Sequence, residues 1–335
     1  MLTRRAALLL TLIAAGCSSG GSSFTGPSET SGPLTFAFSP MDPAAIQYIV
    51  PLGNMGPYAH TLPTDHIYFY HHLNTGPFAP IPVIAPASGT VTTLINRGSD
   101  AKVWVKVNGT YTYYFDHVSL TNGIGIGSRI EAGSRIGDSA GIAFDFSVLN
   151  TGVRQSFANP ARYGQDTTQV DAPLKYFEEP IRGTLYAKVR RVGSDLDGRI
   201  NYDVPGTLSG NWFADDLALA DSTRGDDPSF GMRQLAFARD AWFPDRLRIS
   251  VGGFNMTGLY GVPNDTADFA TVTPASGVIT YRLFNLGEPG GVPGTDQLGL
   301  LVVQMLDATR IRVDVLPVRT GSTAAFTAAA RIYVR

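Results

Sequence analysis

The stretch "AKVWVKVNGTYTYYFDHV", residues 101–118, constrains the fold more than any other part of the chain. Two runs of β-branched and aromatic residues flank Asn108-Gly109, the dipeptide that favours a two-residue type I′ turn. A hairpin is therefore expected, with Val107 opposite Thr110 and Asp100 opposite His117. Alternation puts Tyr111, Tyr113, Phe115 and His117 on one face, and Thr110, Thr112, Tyr114 and Asp116 on the other. Before it, "PVIAPASGTVTTLI" reads as strand, turn, strand, and so does "GSRIEAGSRIGDSAGIAFDFSVL" after it. Residues 34–150 are thus expected to form one β domain.

Residues 151–191 carry Pro160, Pro173 and Pro180 and the stretch "RGTLYAKVRR". They read as a linker with one short helix. Residues 192–335 are strand-like again, in "GRINYDV", "RQLAFARD", "RLRISVGG", "GVITYRLFNL", "LGLLVVQML", "RIRVDVLPV" and "AARIYVR". Regular spacing with almost no helical pattern predicts an antiparallel β sandwich or barrel. This half has no histidine and no cysteine, and so offers no catalytic constellation.

The N-terminus, "MLTRRAALLLTLIAAGCSSGGSS", places Arg4 and Arg5 before an apolar run of about ten residues, too short to span a bilayer core as a helix. Residues 1–16 are read as a signal peptide. "IAAGC" resembles the lipobox of bacterial lipoproteins, which implies lipidation of Cys17, the sole cysteine of the chain. Residues 17–33 follow as a flexible tether, poor in apolar surface. The expected place is the bacterial cell envelope, with a membrane partner through the lipid anchor. A charge balance of 26 basic against 28 acidic residues leaves a net −2, which supplies no basic field for a phosphate backbone and argues against nucleic acid as a partner.

Four of the five histidines, His60, His66, His71 and His72, crowd into "AHTLPTDHIYFYHHL", residues 59–73; the fifth is His117. Together, "GPYAHTLPTDHIYF", "APASGTV" through "YFDHVSL", and "GSRIEAGSRIGDSAGIAFDFSV" resemble the lysostaphin-type (LytM-type) zinc metallopeptidases that cleave peptidoglycan peptides. The resemblance covers about a third of the chain. It implies a mainly β fold with a duplicated hybrid motif, a Zn²⁺ cofactor and a cell-wall peptide as partner.

That family binds zinc through a His and an Asp three residues apart and through the second His of a His-x-His pair. His60 and Asp65 take the first pair's place with four residues between them, and His117 matches an isolated catalytic histidine. The His-x-His pair stands here as Ala143-Phe144-Asp145. Alternation sends Phe144, Phe146 and Val148 to the core and Ala143, Asp145 and Ser147 the other way. The implied metal set is His60, Asp65 and Asp145, with His117 catalytic. Two carboxylates cancel the charge of Zn²⁺ and acidify bound water less than the family's single one. With Ala143 in place of a histidine as well, the expectation is a metal-binding domain with weak or no hydrolysis. The alternatives are a fully active zinc endopeptidase and a wall-binding or regulatory module without metal.

Plainer roles compete at each position. Asp65 can cap a turn beside Pro63. His117 can pair structurally with Asp100 or Asp116, and Asp145 can be an ordinary polar-face residue. His66, His71 and His72 read as exposed strand or loop residues, with His66 open as a replacement for His60 or Asp65. A biotinyl or lipoyl carrier domain is argued against by Lys102 and Lys106, which sit within a strand and not in a turn.

Overall fold

The computed structural model describes residues 32–73, 79–219, 228–287 and 293–335. The leader, Cys17 and most of the tether lie outside the described residues. Among those described, no helix is long and apolar enough to cross a membrane.

The first domain is a sheet with strands β1 (Tyr48–Val50), β2 (Ile67–Tyr70), β3 (Pro82–Ile84), β4 (Gly89–Asn96), β5 (Ala101–Lys106), β6 (Tyr111–Leu120), β7 (Arg129–Ile130), β8 (Arg135–Ser139), β9 (Ala143–Asn150) and β10 (Val170–Asp171). Its main path runs β1-β2-β9-β6-β5-β4-β7, with β10 on β9 and with β8 joining β3 to β6. Alternation explains the core. Phe69, Tyr113, Phe115, Phe144, Phe146 and Val148 point to one side and bury completely. The opposite face of β2, β6 and β9 carries Tyr68, Tyr114, Asp116, Asp145 and Ser147, and it is buried too. Something other than solvent covers it.

The hairpin between β5 and β6 forms, in a different register from the one expected. The Asn108 Oδ1 accepts from the backbone N–H of Thr110 (2.9 Å) and Tyr111 (3.0 Å), and Val107 N–H donates to Tyr111 O (3.0 Å). This Asx-type closure makes a three-residue loop in place of the two-residue turn. The pairs become Val105↔Tyr113 and Val103↔Phe115, and then a bulge sets Asp116 and His117 together against Lys102 before Ala101↔Val118.

Residues 151–191, expected to be a linker, instead pack on the first domain's sheet, and the chain continues there to Ile200. Phe157, Val170, Leu174, Phe177, Leu185 and Ile200 belong to the first domain's core. The segment contains the short helices α1 (Gln165–Thr168) and α2 (Ile181–Tyr186) and the 3-10 turns Pro160–Arg162 and Pro173–Tyr176. The prolines that suggested a boundary instead open these 3-10 turns and precede α2, at the first-turn positions that tolerate a missing N–H. Enough apolar residues lie between them to dock the segment on the sheet.

The second domain is a closed antiparallel barrel. Its strands are β11 (Gly210–Ala214), β12 (Gln234–Arg239), β13 (Leu247–Val251), β14 (Gly258–Gly261), β15 (Val278–Leu286), β16 (Pro293–Met305), β17 (Arg310–Pro317) and β18 (Arg331–Val334), each paired with the next, and β18 closing on β11. Trp212, Phe237, Ile249, Tyr281, Leu301, Val303, Val313 and Tyr333 fill it. At eight strands, side chains occupy the interior.

The barrel seats on the first domain close to the histidine-rich loop. Short helix α3 (Pro228–Gly231) brings Gly231 O to the Thr61 hydroxyl, which donates to it at 2.8 Å. A Cβ on Gly231 would stand 1.8 Å from Tyr58 O, and one on Gly252 would stand 1.8 Å from Gly231 O. Only glycine permits this approach. Met55 and Leu62 from the loop pack with Tyr202, Ala236 and Ala238.

Candidate functional site

Between the barrel and the covered face of the sheet lies a cleft of about 600 Å³, lined by residues 59–66, Lys102, Trp104, Asp116, His117, Asp145, residues 162–167, Phe230, Gly231 and Gln234. His60, Asp65, Asp145 and His117, the four residues singled out from the sequence, all line it.

His66 is the centre of the site. It directly precedes β2, and since Ile67 and Phe69 face the core, His66 and Tyr68 face the cleft side. It is buried, contrary to the expectation of an exposed residue, because the loop and the barrel cover that face. Its Nδ1 lies 3.2 Å from Asp65 Oδ1, and its Nε2 lies 3.0 Å from the Tyr68 hydroxyl and 3.2 Å from Asp145 Oδ2. The pairing Tyr68↔Asp145 in β2 and β9 sets these neighbours.

Asp65 is fully engaged. Oδ1 accepts from the Tyr114 hydroxyl (3.1 Å) and meets His66, Oδ2 accepts from the Thr167 hydroxyl, and its backbone O accepts from Ser147 Oγ (2.7 Å). Burial would raise its carboxyl, but His66, Lys102 and Thr167 together hold it well below the usual carboxylate range. Burial would likewise lower His66, yet Asp145 and Asp65 outweigh it and raise the imidazole. Burial pushes the Asp145 carboxyl up against the opposing pull of His66 and His117. His60, whose ring centroid is 5.3 Å from that of His66, is pushed down to about 4 by burial and by the neighbouring His66, and stays neutral at pH 7.

His117 reaches the site through the bulge. Regular alternation after Tyr113 and Phe115 would bury it in the core, as the sequence pattern indicated. Its φ of 61° turns it to the Asp116 face instead. There Nδ1 meets Asp100 Oδ2 at 3.0 Å and Nε2 stands 3.8 Å from Asp145 Oδ2. Burial would lower this imidazole, but Asp145, Asp116 and Asp100 raise it.

His60, Asp65 and Asp145 share the cleft without converging. Among the described residues, the three ligand atoms that come within 4.8 Å of one another belong to Asp100, Asp116 and His117. Arg97 already pairs with both of those carboxylates, with Asp100 at 3.6 Å and closely with Asp116. A guanidinium at that point repels a divalent ion. His71, buried and not exposed as expected, donates from Nε2 to Gly141 O at 2.9 Å, and neither it nor His72 lines the cleft.

Several site residues carried little sequence signal. Tyr68 and Tyr114 could be placed by alternation with Asp145, whereas Thr167, Arg162 and Asp166 arrive from the segment read as a linker. Trp104 Nε1 donates to both Asp166 oxygens (3.2 and 3.1 Å), and Lys102 Nζ lies 3.4 Å from Asp166 and 4.3 Å from the Tyr114 ring centre.

No protein-family model matches the chain, and no curated protein matches it by sequence. Solved structures give partial likenesses. Csd3 of Helicobacter pylori is similar at 17% identity over 43% of this chain and 33% of that one, with a TM-score of 0.29. The catalytic domain of the antimicrobial peptidase lysostaphin from Staphylococcus simulans is similar at 19% identity over 38% of this chain and 91% of that one, with a TM-score of 0.27. The M23 metalloprotease pseudoalterin matches at 16% identity over 44% of this chain and 90% of that one, with a TM-score of 0.28. The chain spans about a third of the length of the Csd3 structure.

Proposed function

We propose that this chain is a cell-envelope lipoprotein, lipidated at Cys17, whose first domain binds a divalent metal and a cell-wall peptide and hydrolyses that peptide weakly or not at all. One observation carries the metal reading: Asp65 holds Nδ1 of His66, so that Nε2 is aimed at Asp145. A metal-ligating histidine ordinarily gives its other nitrogen to a carboxylate, which fixes the tautomer and the ring. His66 and Asp145 fit as two ligands, and ligands of a tetrahedral zinc stand about 3.3 Å apart for bonds of about 2.0–2.1 Å. His117, whose Nε2 stands 3.8 Å from Asp145 Oδ2, or His60 would have to move in to supply the third, since among the described residues no three ligand atoms around His66 lie within 4.8 Å of one another. Asp65, with both carboxylate oxygens taken, orients the site in place of ligating.

Zn²⁺ there would polarise a scissile carbonyl and acidify a water. The chain's own residues would supply less. Ala143, opposite Tyr70, provides no proton-transfer group, a deficit on the order of 10²- to 10⁴-fold in rate. The peptide reading is supported by the likeness of "GPYAHTLPTDHIYF" and "YFDHVSL" to wall-cleaving peptidases and by a cleft roomy enough for a short peptide. The runner-up is a binding module without metal, favoured by the hydrogen bonding that His66 already completes with Asp65 and Tyr68.

Metal analysis of protein purified without chelator, joined to incubation with purified peptidoglycan, tests this. The expected result is about one bound ion and little peptide release. Vigorous release would make the protein a working peptidase, and no metal on titration would leave the metal-free module.

A further inference from the structure

Arg162 ends the 3-10 turn Pro160–Arg162 and lines the cleft, although only 8% of it is exposed. Its Nη1 donates to Leu217 O at 3.1 Å, and its guanidinium carbon lies 5.0 Å from the centre of the Phe213 ring. Its Nε is buried without a hydrogen-bond partner. Among the described residues no carboxylate forms an ion pair with it. The cleft's nearby acids are committed elsewhere: Asp166 to Trp104 and Lys102, Asp65 to His66, Tyr114 and Thr167.

A desolvated cation without a counterion is costly, and proteins rarely leave one so. Here burial depresses the guanidinium, and among the described residues the group opposing it is the Tyr163 hydroxyl and not a carboxylate. With Nη1 spent on Leu217, the Nε edge remains, the edge that forks onto a carboxylate with two parallel N–H donors.

We propose that Arg162 receives a carboxylate of the peptide bound in the cleft, so that the site selects peptides bearing a free C-terminus or an acidic side chain. The proposal rests on the reading that the cleft takes a peptide. It adds the substrate's charge and assigns a specificity residue contributed by the segment docked on the first domain's sheet.

The test is calorimetric titration of the full chain with three N-acetylated tetra-alanine peptides: one C-amidated, one with a free C-terminus, and one C-amidated with an internal glutamate. At least one acidic peptide is expected to bind about tenfold or more tighter than the neutral one, as a charge-assisted hydrogen bond contributes. Arg162→Met should erase that preference while leaving the neutral peptide's affinity in place. Arg162→Lys should retain part of it, and decides the matter if the methionine variant does not fold. The free C-terminus and the glutamate peptide tell which carboxylate is read.

Equal binding of all three peptides by the unmodified protein, no binding of any at millimolar concentration, or a parallel fall of all three affinities in Arg162→Met would overturn the proposal. The last result would mark Arg162 as a mere tie to Leu217. Repeating the titration with chelator separates the two readings: the preference for acid should survive removal of the metal, whereas the metal reading fails on its own if no ion binds.

Discussion

His66 and Asp145 meet across the β2–β9 pairing, Nε2 to Oδ2 at 3.2 Å, while the adjacent pair Ile67 and Phe146 points the opposite way into the core. A polar pair thus sits on the back of an apolar one, held by the same strand register. Asp145→Ala should abolish stoichiometric metal binding, because the remaining protein ligands are too few for Zn²⁺. Combined Ala143→His and Asp145→His should raise peptidoglycan hydrolysis well above the parent. Metal content and release of soluble wall peptides are the measurements, and an unchanged rate in the double variant would argue against a disabled peptidase.

Asp65 clamps the other nitrogen of that histidine. Asp65→Asn is expected to weaken metal binding by about 10- to 100-fold, the usual cost of losing an orienting carboxylate. Calorimetry with zinc reads this directly. An affinity unchanged by the substitution would show that His66 needs no orientation.

The same carboxylate predicts an acid limb. Its folded-state pKa lies below its ordinary value of 3.8, so its contribution to stability is present above about that pH and is lost as pH falls below it. Melting temperature should drop more steeply below pH 4 in the unmodified protein than in Asp65→Asn. Parallel curves would assign the acid limb to other carboxylates.

His117 holds a left-handed backbone, with φ of 61°. That conformation costs a non-glycine residue about 1–2 kcal/mol. Both His117→Gly and His117→Ala lose the Asp100 contact, yet the glycine variant should be the more stable of the two by about 1 kcal/mol in denaturant unfolding. Alanine equal to glycine would mean that the bulge relaxes.

Gly231 has no room for a methyl group, since its Cβ would meet Tyr58 O at 1.8 Å. Gly231→Ala should destabilise the chain by about 1–3 kcal/mol as the barrel and the loop are forced apart. Zinc affinity should change far less, since the ligand candidates all belong to the first domain. A loss of metal equal to that of Asp145→Ala would show that the barrel holds the site in shape.

The two β units were legible because alternation and turn residues act locally, as in residues 101–118 and in the barrel strands. The register of the β5–β6 hairpin was not, since one side chain, Asn108, redirects two amides and adds a residue to the loop. Nor was the face of His117, because a bulge breaks the two-residue period on which the face was assigned. The position of His66 was within reach: with Ile67 and Phe69 in the core, the residue before β2 had to look toward Asp145. The cleft's other wall was out of reach, as Arg162, Thr167 and Gly231 arrive there through docking of whole segments, which no local pattern encodes.

In the barrel, β18 pairs with β17 on one side and with β11 on the other, Phe213 opposite Val334. A ring joined in this way leaves little main-chain border for a stray strand to adopt, and its thinnest join is β14 to β15, held in register by Gly261 opposite Phe284. At the β11–β18–β17 seam, whatever meets the barrel from outside therefore meets turns and side chains, and sticking of one copy to another by strand exchange there is closed off. The safeguard hangs on its last few residues. Arg335, which donates from Nη1 to Ser209 O at 3.0 Å and lies 4.0 Å over the Trp212 ring, pins that final strand in place. Trimming the chain from Arg331 onward would unzip the seam and bare β11 and β17, turning a self-contained cylinder into a curled sheet with two adhesive rims.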